Sequence, residues 1–201
     1  MEKDKIMKRH LAETVVRELK TKSIEEITVQ DIISSCEISR STFYRYFKDK
    51  FDLLNWIFSQ YMDELTSYYS HDSLCYKQVI FDITSFMSNS QALFLKCFSY
   101  TGQNSFQDHF LQRTTEYITE HLEDRMDVEA LSKEYATIVA FNSAGVLHTI
   151  VNWLQGGCKE TPREISRIIV ESMPEKIKYF FTSSEPDFWN YVHTSSPFEF
   201  L

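Results

Sequence analysis

The stretch Ile27-Thr28-Val29-Gln30-Asp31-Ile32, followed after a few residues by Ile38-Ser39-Arg40-Ser41-Thr42-Phe43-Tyr44-Arg45-Tyr46-Phe47-Lys48-Asp49-Lys50, decides the fold of this 201-residue chain. Thr28 reads as a helix N-cap, and Asp31, three positions on, supplies a carboxylate that can reach back to it. The short helix they open buries Ile32 and Ile33 and ends near Cys36. Ser39 is a second cap, starting a helix from Arg40 to Phe47 in which Phe43 and Phe47, four apart, face inward. Only Cys36-Glu37-Ile38 separates the two. Two short helices on so tight a turn, the second carrying Arg, Ser, Thr and Tyr on its outer side, have the geometry that sets a recognition helix into a DNA major groove. On spacing alone an αα-corner of an ordinary helical protein fits equally well.

Working outward, Ile6, Met7, His10, Leu11, Val15 and Leu19 put an apolar stripe on a helix from about 3 to 20. Asp49 caps a longer helix reaching about 69, with Leu53, Leu54, Ile57, Phe58, Tyr61 and Leu65 on its buried side. Further periodic segments cover roughly 74–88, 91–100, 105–123, 128–154 and 162–181. Pro162 sits at a first helical position, Gly156-Gly157 stops the helix before it, and Pro174 is expected to kink or split the last one. With four Gly and four Pro there is little material for β-turns, so the fold class is all-α, with about nine helices. Three regions follow: 1–50 as the helix-turn-helix unit, 51–182 as a longer helical body, and 183–201 as an aromatic tail.

The net charge of −8 is unevenly spread: residues 1–50 carry 11 Lys+Arg and 9 Asp+Glu, against 10 and 20 in residues 51–201. An acidic body repels polyanions, so nucleic acid can be met only through the first quarter of the chain. The four cysteines form no CxxC pair, which fits a reducing cytoplasm and no metal. No signal peptide or membrane span is read. No GxSxG, HExxH, P-loop or GxGxxG string is present, so neither catalytic residues nor cofactors are expected, although a helical enzyme assembled from distant residues is the alternative from another class.

The string quoted at the outset closely resembles the DNA-binding signature of the tetracycline-repressor (TetR) family of bacterial regulators, over residues 1 to about 55. Phe43, Tyr44, Phe47, Lys48 and Lys50 stand where the family pattern puts them. The turn departs from it: Cys36-Glu37-Ile38 replaces the usual Ala-Gly-Val, and a non-glycine at positive φ costs about 1 kcal/mol. The resemblance implies a homodimer on a palindromic operator in double-stranded DNA, acting as a ligand-responsive repressor. By it Thr42, Tyr44, Tyr46 and Lys50 contact phosphates, with Lys48 beside them and Thr28 at the helix start, while Gln30, Arg40, Ser41 and Arg45 are the candidates for base contacts. Base preference should ride on Arg40 and Arg45, because Arg pairs bidentately with guanine. If Lys48 and Lys50 alone neutralise phosphates, a dimer meets four, and log K falls against log salt with a slope of about −3.6.

The segment 135–154 is apolar nearly all round, with Ala136, Ala140 and Ala144 forming a small-residue ridge beside Gly145. Ile165, Ile169 and Met173 give the last segment a stripe to pair with it. By the resemblance these two helices form the dimer interface, through Ala140, Ala144, Leu147, Val151, Ile165, Ile169 and Met173. Phe86, Phe94, Phe98, Phe110, Tyr117, Phe141 and His148 lie in segments that in the family enclose an effector pocket; ordinary core packing is the plainer account of them. A distant resemblance to regulators of dihydroxyacetone-kinase operons implies, as an alternative to a small-molecule effector, a protein co-regulator bound by the body, with the tail as a docking strip.

Overall fold

The computed structural model describes residues 2–69 and 75–181, and among these it contains ten helices and no strand. They are α1 (Glu2–Leu19), α2 (Val29–Ser35), α3 (Arg40–Tyr46), α4 (Lys50–Tyr69), α5 (Cys75–Asn89), α6 (Gln91–Ser99), α7 (Phe106–Met126), α8 (Lys133–Gln155), α9 (Pro162–Glu171) and α10 (Glu175–Lys178). The aromatic tail expected at 183–201 lies outside the described residues.

Local chemistry sets these boundaries. Thr28 and Asp31 close a full capping box on α2, Thr161 and Glu164 close another on α9, and Ser39, Ser105 and Ser132 cap α3, α7 and α8. Asp49 Oδ1 accepts from Asp52 N at 2.7 Å while Asp52 Oδ2 accepts from Lys48 N at 2.9 Å, a reciprocal pair at the start of α4. Glu37 in the short turn has φ 53°, so the strained residue expected there is present, and Ile38 N closes the turn on Ile33 O at 3.2 Å. Pro174 separates α9 from α10, which accounts for the tenth helix. The eighth helix starts later than its apolar pattern suggests: Asp127, at φ 53°, ends α7, and Ser132 restarts the chain.

A continuous core runs from Leu11, Val15 and Leu19 of α1 through Ile32, Ile33, Phe43, Phe47 and Leu53 to Leu54 and Phe58 of α4, and on into the later helices. Ile6 of the expected α1 stripe is 64% exposed; Thr14 takes the inward place, where its Oγ1 accepts from Cys36 Sγ at 3.1 Å and fastens the end of α2 to α1. Beyond α4, α5 packs chiefly on α9 and α7 on α8. The α5–α9 seam is drawn close by small polar residues, with Thr84 Oγ1 and Ser166 Oγ 2.8 Å apart and both residues fully buried. Among the described residues, α8 is the one helix long and apolar enough to cross a membrane by length and composition. Its apolar side chains are divided: Val139, Val146, Ile150, Trp153 and Leu154 are buried in the chain, whereas Ala140, Phe141, Ala144 and Gly145 face outward.

Candidate nucleic-acid interface

Phe43 is fully buried, and its ring meets Tyr44 edge-on at 5.4 Å and Phe47 at 6.3 Å; Phe47 in turn meets Trp56 of α4 at 5.7 Å. This aromatic seat fixes the roll of α3, so its remaining side chains point out. Arg40, Ser41, Tyr44 and Arg45 are exposed, with Tyr44 at 45%. The Arg40 guanidinium lies 5.5 Å from the Tyr44 ring centroid, a contact that holds the long side chain along the helix surface. Ser39, Ser41 and Thr42 form a hydroxyl cluster at 2.9 and 2.8 Å about the start of α3, beside the cap bond from Thr42 N to Ser39 Oγ. Helix N-terminal amides and hydroxyls together suit an anionic backbone.

Other expected contact residues are partly engaged within the chain. Arg45 Nη2 donates to Tyr46 Oη at 2.9 Å, and Tyr46 Oη donates to Asp4 Oδ1 at 3.1 Å, so both side chains lean toward α1. Thr28 Oγ1 is bonded to Asp31, whose carboxyl is held below its ordinary range by those Thr28 hydrogen bonds. Gln30 is exposed on α2, with Nε2 3.3 Å from Ser34 Oγ. Lys48 is exposed.

Lys50 departs from expectation. Its Nζ donates to Ile27 O at 2.6 Å and Glu25 O at 3.1 Å, and burial holds its pKa below the ordinary lysine value. The ammonium ties α4 to the loop before α2 and has only one of its three donors left for a phosphate. Lys50→Met is therefore expected to cost about 1–2 kcal/mol of stability, read from chemical denaturation, with weaker DNA binding following from a loosened loop.

The expected dimer face and effector set are redistributed. Ala140 and Ala144 are exposed and Leu147 and Val151 half-buried, as a contact surface requires, but Ile165, Ile169 and Met173 are between 2% and 5% exposed. Ile165 and Ile169 form the inner stripe of α9, and they and Met173, just beyond its end, pack inside the chain; the open side of α9 carries Ile168, 42% exposed, which the sequence reading missed. Phe141, at 75% exposure, and His148 stand on the outer face of α8. A helix apolar on several sides gives no sequence signal for which side meets its own chain. Phe94, Phe98 and Phe110 are core, wedged against Phe58 and Phe106 at ring distances of 4.9–6.0 Å, and Tyr117 is half-buried beside Tyr76. Phe94 and Phe86 flank a void of about 30 Å³, room for roughly one water. Phe86 alone of the set also reaches an open cleft of about 260 Å³, shared with Lys5 and Arg9 of α1 and Trp56, Tyr61 and Glu64 of α4.

A two-helix unit on a three-residue turn, with a polar, cationic second helix rolled outward by an aromatic seat, defines a helix-turn-helix DNA-binding protein. Residues 13–57 match the profile "Bacterial regulatory proteins, tetR family", and residues 76–175 match "Transcriptional regulator C-terminal region". The chain belongs to the TetR family of transcriptional regulators, whose members bind DNA and act as dimers. A curated relative, the HTH-type dhaKLM operon transcriptional activator DhaS of Lactococcus lactis subsp. lactis (strain IL1403), is 24% identical over 149 residues, 73% of this chain and 78% of that protein. The solved structure of a dihydroxyacetone kinase operon activator DhaS superposes with a TM-score of 0.61 at 20% identity, covering 88% of this chain and 99% of that one. At that identity the structural likeness speaks for the fold.

Proposed function

We propose that this chain is a homodimeric, cytoplasmic regulator whose residues 1–50 form a reading head for one half of a two-fold operator, while residues 51–182 form the dimerising and sensing body. The observation that carries the reading is the outward roll of α3, with Arg40, Ser41, Tyr44 and Arg45 exposed above a buried Phe43. Two such heads then address half-sites about 34–36 Å apart. Repression by occupying a promoter is the proposed output; activation, the role named for the relative DhaS, is the alternative that a promoter fusion reads directly.

The test is a footprint and gel shift on the DNA flanking the gene. Arg40→Ala is expected to relax preference at one base pair by about 1–3 kcal/mol while leaving random DNA unaffected, and Lys48→Ala to weaken all sequences alike. Equal loss on specific and random DNA from both variants would break this division. Tyr44→Ala is expected to weaken both. With Lys50 anchored inside the chain, a dimer offers two Lys48 side chains to phosphates, and the salt slope is expected nearer −1.8 than −3.6, at about 0.9 per phosphate.

For the effector, the proposed site is the cleft that Phe86 shares with α1 and α4, because a ligand there touches reading head and body at once. A second reading, a protein co-regulator on the body, is favoured by the tight packing of Phe94, Phe98 and Phe110 and by the exposure of Ile168 and Tyr179 at 42% and 82%.

A further inference from the structure

Helix α6 is bonded at two points to the ends of two other helices. Its first residue, Gln91, donates through Nε2 to Leu154 O at 2.6 Å, within the last turn of α8. Five positions on, Lys96 donates through Nζ to Leu19 O at 2.8 Å and Lys22 O at 2.9 Å, at and just beyond the end of α1. Leu154 O, which also takes Gly157 N at 3.1 Å, gains a second donor from Gln91, while Lys96 serves the last carbonyl of α1 and one in the loop beyond it, where an ammonium also meets the negative end of the α1 dipole. The spacing along α6 is about 7–8 Å, too short for a helix of intact backbone bonds to stretch or bend appreciably. α6 is held from its sides as well, packed on α7 and α8, with Gln107 Nε2 donating to Phe98 O at 2.7 Å.

We infer that α6 is a strut linking α8 to α1, with Gln91 and Lys96 as its two positioning residues. α8 carries the exposed Ala140–Ala144 face on which two copies meet in the proposed dimer, and α1 is the back of the proposed reading head. The strut thus passes the dimer's geometry to the heads, and its use in spacing them rests on that proposed two-fold reading of an operator. A lysine suits the head end because its ammonium serves two carbonyls at once, which a methionine of similar length cannot.

The links act in series, and that gives the test. Hydrogen exchange is measured on the full dimer across residues 19–27 for wild type, Gln91→Met, Lys96→Met, the double variant and Lys96→Arg. Gln91→Met touches nothing in 19–27, yet it is expected to raise exchange there severalfold, as Lys96→Met does, with the double variant no worse than Lys96→Met alone and Lys96→Arg near wild type. Unchanged exchange at 19–27 in Gln91→Met, or effects of the two single changes that multiply in the double, overturns the strut. Gel shifts on operators with half-sites moved one base pair in or out read its use: wild type is expected to prefer one spacing by about tenfold and the three Met variants by less than about threefold, with single half-site affinity unchanged. A spacing preference that survives in those variants also overturns the proposal. Transmitted exchange without two-fold DNA binding in any protein leaves the strut standing and defeats the operator reading instead.

Discussion

Phe141→Asp combined with Ala144→Asp is expected to yield a folded monomer that has lost on the order of a thousandfold in affinity for a two-fold operator. Both positions are exposed, Phe141 at 75%, so the protomer gives up little of its own buried surface and stays folded, its melting lowered only by the lost stabilisation from dimer association. In the proposed dimer the same positions would lie where α8 of one copy meets its mate. Ala140, Ala144 and Gly145 let backbones approach, and space beside Gly145 is open in the protomer, with no atom within 4 Å of where a Cβ would stand. A carboxylate pair brought face to face there across the two-fold axis would be desolvated and repelled. The DNA consequence follows from linkage: with the second head tethered, its binding is intramolecular, and losing the tether forfeits roughly 10²–10⁴ in avidity without altering a single base contact. Sedimentation velocity checks the first half and a gel shift comparing one with two half-sites checks the second. A dimer that persists in this variant moves the interface elsewhere; a monomer that binds the full operator as tightly as wild type removes the two-fold reading.

How much of this was legible in the sequence depends on whether the deciding interactions are local. Thr28 with Asp31, Ser39 alone and Pro162 after Thr161 act within one turn of themselves, so α2, α3 and α9 begin where those residues say. The start of α8 was misplaced because Val128 and Leu131 extend the apolar pattern upstream, while the terminating signal is Asp127 in the left-handed region, a conformation its type does not announce. Which side of an apolar helix faces its own chain is a tertiary fact. Ile165, Ile169 and Met173 form a strong stripe and are buried within the chain; Phe141 has the same composition signal and is left outside. Aromatics at helical spacing such as Phe94, Phe98 and Phe110 fill the interior rather than line a pocket, the commoner fate of that pattern. Lys50 reads in the sequence as a phosphate contact, and no spacing rule reveals a lysine whose partners are carbonyls 23 positions away, as for Lys50, or 77, as for Lys96.

Phe43→Ala is expected to cost about 3–5 kcal/mol and to abolish DNA binding while leaving the dimer intact. Phe43 is fully buried, with the Phe47 ring beyond the end of α3 at 6.3 Å, and it belongs to the same core as Ile32 and Ile33 of α2 and Leu11 and Val15 of α1. Truncation removes the ring that fixes the roll of α3, and the neighbours cannot collapse into the space without drawing Tyr44 and Arg40 off the outer face. The loss is comparable to a large share of the stability of a whole small domain, here concentrated in three helices of 18, 7 and 7 residues. α2 and α3 pack mainly on α1 and on each other, whereas α5 packs chiefly on α9 and α7 on α8, so the body is expected to hold and to stay dimeric. Circular dichroism is expected to show an early partial transition, and hydrogen exchange to place it in residues 2–50. Phe43→Leu, which keeps most of the volume, should cost about 1 kcal/mol and retain binding, separating a packing requirement from an aromatic one. If Phe43→Ala melts in one step with wild-type operator affinity, α3 is not seated by this ring and the account of how its polar face is aimed falls with it.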